Sequence, residues 1–169
     1  MTNDSELFLL TGPREYLELY NCPPWLADKF IPHILAFFAE AGYGQTSGCS
    51  IGIWFDLEER PQTEDGKPIG GVGGVDPKGN PNHGFATIYM QHTPTMAHLV
   101  ENLFHELDHI LWGFQYGAAY NKRYDMDHDD RPHEKRAYAT GRKYRRHLEF
   151  AIPEPTKQFF GKEYYQAVE

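Results

Sequence analysis

The chain has 169 residues, room for one domain but cramped for two, and its 40% hydrophobic and 15% aromatic content excludes a disordered polymer. Sixteen basic residues against 24 acidic ones leave a formal charge of −8, which speaks against a general phosphate-backbone binder, whose footprint is basic. The two cysteines, Cys22 and Cys49, lack CxxC spacing; this excludes a disulfide framework and a cysteine zinc knuckle, and both read as small core residues.

In chain order, MTNDSELFLLTG has no early basic residue and too short an apolar run for a secretory signal. REYLELY (14–20) predicts a short helix. After Pro23-Pro24, WLADKFIPHILAFFAEAGYG predicts a helix ending at Gly42 as a left-handed cap, with Pro32 breaking or kinking it. Its most apolar part is too short for a bilayer, so a protein of the reducing cytoplasm with no membrane partner is expected. CSIGIWFDL (49–57) reads as a strand. Residues 58–84 are rich in glycine and proline and read as a loop-rich insert, with a short strand near 69–75 and a role as surface loop or as flap over a site.

FATIYMQ (85–91) predicts a further strand. Thr93 as cap and Pro94 at the first position open a helix over 94–115. An Asp-rich connection (120–130) leads to a helix over 131–150, with Pro132 in its first turn. The aromatic pairs of the tail are expected to dock on the body. No repeat interrupts this order, so 1–169 is expected to be a single α+β domain.

The helix over 94–115 contains HELDH. His105 and His109 are one turn apart, about 40° round the helix, so two imidazoles can reach one metal ion without bending the backbone. Glu106, one step round, is placed to hold a water on that metal. His98, Asn102, His105, Glu106, His109 and Gly113 form a polar strip beside an apolar arc that includes Leu99, Leu103, Leu107 and Ile110. A merely solvated face would carry more Lys and Glu.

A hydrolytic zinc needs a third protein ligand and one open position. Trp112 and Gln115 stand where HExxHxxGxxH would have glycine and histidine, so that extended site is excluded. Glu134 is the leading candidate, on a stripe with Ala137, Tyr138, Gly141, Arg145 and Leu148, where the small residues would let the two helices approach closely. Asp127, His128, Asp129, Asp130 and His133 are alternatives as ligands. The acids among them also suit helix capping or orienting an imidazole.

HELDH, the helix bearing Glu134 and the strand before HELDH together resemble the HExxH zinc metallopeptidases of gluzincin type, in a compact single-domain form, over residues 85–150. The resemblance implies a zincin-like fold: a small twisted sheet with an edge strand, packed on an active-site helix and a following ligand helix. It implies one Zn2+ per chain on His105, His109 and Glu134, with Glu106 as general base and then acid. Tyr138 is the candidate for the oxyanion, with His128 and His133 as rivals. The implied activity is a metalloendopeptidase that binds a peptide or protein substrate along edge strand 85–91.

Two other readings compete. One is a non-catalytic metal-binding interaction protein, an acidic inhibitor or partner mimic; Glu106 argues against it, because a structural site has no use for a base there. The other is a DNA-associated protein using the basic stretch 131–146, which holds seven of the sixteen basic residues. The plainer role for that stretch is a solvated outer face, and nucleic acid is not expected as a partner.

Overall fold

The computed structural model describes residues 16–22, 24–76, 80–93, 95–117 and 127–149. Over these residues the fold is mixed α/β, with four strands and three helices, in keeping with the expected α+β class. The order is β1 (Leu17–Tyr20), α1 (Pro24–Glu40), β2 (Ser50–Asp56), β3 (Gly71–Val75), β4 (His83–Tyr89), α2 (Met96–Tyr116) and α3 (Pro132–Glu149). Single 3-10 turns occupy Met90–His92 and His128–Asp130.

The strands lie in the order β1-β2-β4-β3. β1, β2 and β4 are parallel and β3 is antiparallel to β4. Two expectations are overturned here. Residues 17–20 are a strand, not a helix: Leu17 and Leu19 are fully buried and pair in register with Ile51 and Ile53, while Glu18 and Tyr20 point outward. That period of two is what a half-buried strand requires. Strand 85–91 is not an edge strand either. β4 is paired on both sides, and its hydrogen bonds are taken by β2 and β3. Among the described residues the free edge beside α2 belongs to β3, Gly71–Val75, the short strand expected near 69–75 within the loop-rich insert.

One face of the sheet is the core. Leu17, Leu19, Ile51, Ile53, Phe55, Ala86 and Ile88 are buried in one cluster with Leu26, Phe30, Ile34 and Phe38 of α1 and Leu99, Leu103, Phe104, Leu107 and Ile110 of α2. α1 is one continuous helix through Pro32, so the proline does not break it. The ring sits on the exposed side, and Phe30, Ile34 and Phe38 at four-residue spacing hold the helix on either side of it. Gly42 ends this region at φ 90°, as its placement predicted. Cys22 and Cys49 are buried thiols.

The cap of α2 is Thr95, not Thr93: its side-chain oxygen accepts from the His98 N–H at 3.2 Å. Thr93 is instead fully buried, its hydroxyl donating to the Tyr89 carbonyl at 2.8 Å and accepting from Asn102 Nδ2 at 3.1 Å. No helix among the described residues is long and apolar enough to cross a membrane. The tail beyond 150 and most of the Asp-rich connection lie outside the described residues.

Candidate metal centre

α2 is pressed between the free-edge strand and α3, and glycines set both distances. A Cβ on Gly73 would lie 2.8 Å from the Glu106 carbonyl oxygen, and one on Gly71 would lie 2.9 Å from Glu106 Cγ. On the other side, a Cβ on Gly141 would lie 2.6 Å from the Glu101 carbonyl oxygen. The glycine run of β3 thus lets backbone pack directly on the helix that carries HELDH, and Gly141 brings α3 in as its small size suggested.

The two helices are also cross-braced. Arg136 Nε donates to Asp108 Oδ2 at 2.8 Å and Thr140 Oγ1 to Asp108 Oδ1 at 3.1 Å. Arg136 also donates to Gln115 at 2.9 Å and lies 4.4 Å over the Trp112 ring. Arg145 pairs with Glu101 at 2.6 Å. Two of the basic residues of 131–146 therefore hold α3 against α2. Asp108, buried at 3% exposure, is a residue sequence reasoning missed. The available signal was the four-residue spacing of Arg136 and Thr140 on α3.

This bracing brings Glu134 to the histidines. His109 Nε2 stands 2.8 Å from Glu134 Oε1, and His105 Nε2 stands 3.2 Å from Glu134 Oε2. The two Nε2 atoms are 3.1 Å apart. These contacts end on both Glu134 oxygens; one ligand atom from each of the three residues can be chosen with all separations within 4.8 Å, which small side-chain rotations would bring to the about 3.3 Å between ligand atoms on a tetrahedral zinc at about 2.0–2.1 Å. His105, His109 and Glu134 are the group able to hold a metal ion among the described residues. His109 Nδ1 and Glu134 Oε2 are buried without a hydrogen-bond partner there. A buried carboxylate oxygen left over beside two imidazoles fits a cation.

The charge pattern agrees. Burial by itself would raise the Glu134 carboxyl, but its contacts with His105 and His109 outweigh that and hold it well below the usual carboxylate range. Burial would lower the His109 imidazole; Glu134 and the charge of Glu106 and Asp108 reverse this and raise it. Burial raises Glu106 above an ordinary glutamate, with His105 and His109 opposing. Glu106 is 6% exposed, and its Oε1 lies 4.0 Å from His105 Nε2.

The other candidates have separate places. The Tyr138 ring packs edge-on to His105 with centroids 4.5 Å apart, and its hydroxyl donates to Asp129 Oδ1 at 3.0 Å. Burial and that bond push the hydroxyl up to about 12. His128 bridges Glu134 Oε1 and Asp129 Oδ1, at 3.2 Å from each. His133 is buried, with its ring 5.8 Å from that of His109 and 5.9 Å from that of Trp112, as a packing residue would be. Asp127, Asp129 and Asp130 are exposed at the mouth. A cleft of about 1170 Å³ opens over the triad, with β3 as one wall and the 127–138 region as the other. No protein-family model, curated protein or solved structure matches the chain.

Proposed function

We propose that the protein is a zinc-dependent endopeptidase of the HExxH type. The observation that carries this reading is the meeting of His105, His109 and Glu134 within 2.8–3.2 Å, beneath an open cleft and beside the buried Glu106 carboxylate. Zinc held by these three side chains would supply a Lewis acid and a water made acidic near neutral pH.

The protein residues then divide the work. Glu106 Oε receives the proton of the attacking water and returns it to the nitrogen of the leaving amine. Its raised affinity for protons, a consequence of burial, brings it nearer to neutral pH, where a general base and acid is most effective. The Tyr138 hydroxyl and the His128 imidazole also line the cleft; each now engages a carboxylate, Asp129 or Glu134, and would have to turn from it to donate to a developing oxyanion.

Substrate would be held by β3 rather than by the strand that precedes α2. Tyr89 N–H donates to the Gly70 carbonyl and Asp76 N–H to the His83 carbonyl. Antiparallel alternation therefore turns the N–H and C=O groups of Gly71 and Gly73 away from β4, toward the cleft. An extended peptide can add there as a further strand. Two buried thiols in place of a disulfide suit a reducing compartment such as the cytoplasm.

The Glu106→Gln substitution tests the reading. Metal content should stay at the wild-type level, while hydrolysis of a denatured protein substrate falls by about 10²–10⁴-fold, the range for losing a general base. Undiminished hydrolysis by the metal-loaded variant would contradict the mechanism. A binding protein without turnover would show no hydrolysis in either form.

A further inference from the structure

The walls of the cleft carry opposite kinds of information. On the β3 side, Gly70, Gly71 and Gly73 present backbone and no side-chain bulk. On the rim stand four carboxylates, Asp65, Asp127, Asp129 and Asp130, against a single lysine, Lys67, which is itself 4.0 Å from Asp65. At the floor lies Glu106, more than nine-tenths buried, whose carboxylate has no hydrogen-bond donor among the described residues. The rim thus carries four carboxylates to one lysine, above a buried acceptor that lines the same space.

We propose that this cleft selects peptides bearing lysine or arginine beside the bond to be cut, with the rim carboxylates receiving the cationic side chains. The inference rests on the peptidase reading for the cut and on the cleft's own charge for the selection. An extended strand on Gly71 and Gly73 leaves its alternate side chains free to point across the cleft toward the aspartates. Lysine and arginine have apolar stems long enough to lie along a wall while the charged head reaches water at the rim. The volume, about 1170 Å³, exceeds the about 300–1,000 Å³ of ordinary small-molecule pockets, which suits a segment of polymer. Asp129 is partly committed, since it holds Tyr138 and His128. Asp65 is likewise partly committed, to Thr63 and Lys67, so the carboxylates of Asp127 and Asp130 are the principal selecting groups, with Asp65 beside them. Exposed carboxylates act through a screened field, so the preference should weaken with salt.

The test uses zinc-loaded Glu106→Gln protein, so that binding is read without cleavage, and two fluorescein-labelled peptides that differ only in lysine or glutamate flanking a central Ala-Phe. The lysine peptide should bind about tenfold more tightly at low ionic strength, as several exposed ion pairs together would give. The ratio should fall toward one at high salt and in a protein that also carries Asp65→Asn, Asp127→Asn and Asp130→Asn. Equal or absent binding of the two peptides, or a ratio that survives the triple change, would overturn the inference. Wild-type cleavage of the same peptides separates it from the reading beneath it. Cleavage without preference defeats the selectivity and leaves the peptidase, whereas preferential binding without cleavage leaves the cation-selecting cleft and defeats the peptidase.

Discussion

On the inner side of the sheet, α2 and α3 approach so closely that one added methyl at Gly141 would strike the Glu101 carbonyl at 2.6 Å. On the outer side, Trp54 is 43% exposed and stacks on Tyr20 at 3.8 Å, with Val72 and Phe85 also open. The first region is held by backbone contact, partly buried ion pairs and a shared carboxylate. The second is held by one aromatic stack and the pairing of the strands beneath it. Close packing in this molecule is concentrated where His105, His109 and Glu134 meet, and the outer face is packed more openly.

The contrast can be broken most strongly at Gly141. Replacing it with valine forces branched bulk between α2 and α3 and should cost about 3 kcal/mol, at the upper end for overpacking, read as a lower urea midpoint. A change below about 0.5 kcal/mol would mean that the helices part without penalty. Asp108→Asn is the finer probe. It keeps the size but removes the charge that Arg136 and Thr140 grip, so Glu134 is held less firmly. Metal affinity, measured by chelator competition, should fall about 10–100-fold, the usual consequence of disturbing a group that supports a ligand. Unchanged affinity would show that Glu134 is placed without this brace. The smallest effect is expected on the other face. Trp54→Thr should lower stability by about 1 kcal/mol, the value of the lost stack, and leave metal affinity as it was. Lost metal binding would erase the distinction between the two regions.

The candidate metal triad was legible because a helix repeats on a fixed angle: four residues bring two imidazoles together, and a small-residue stripe on the next helix marks where it can approach. Glu134 stood out among six candidates through that stripe. Local patterns failed where pairing is non-local. REYLELY alternates like a strand only once Leu17 and Leu19 face Ile51 and Ile53, partners more than 30 positions away. The short strand expected near 69–75 did form as β3: its glycine run has the composition of a loop, but β4 pairs with it and its backbone, without side chains, packs against Glu106. That placement also displaced β4 from the edge. Asp108 lay inside the recognised motif, yet its role depends on the register of α3, which no spacing within HELDH encodes.

The central claim is that His105, His109 and Glu134 hold one metal ion. The most direct measurement is zinc content by elemental mass spectrometry on the wild-type chain beside His109→Ala and Glu134→Ala, each checked for its fold by circular dichroism. The account predicts about one zinc per folded wild-type chain, and its loss in both folded variants. Zinc retained in folded Glu134→Ala, or none taken up by the wild type when supplied, would contradict it.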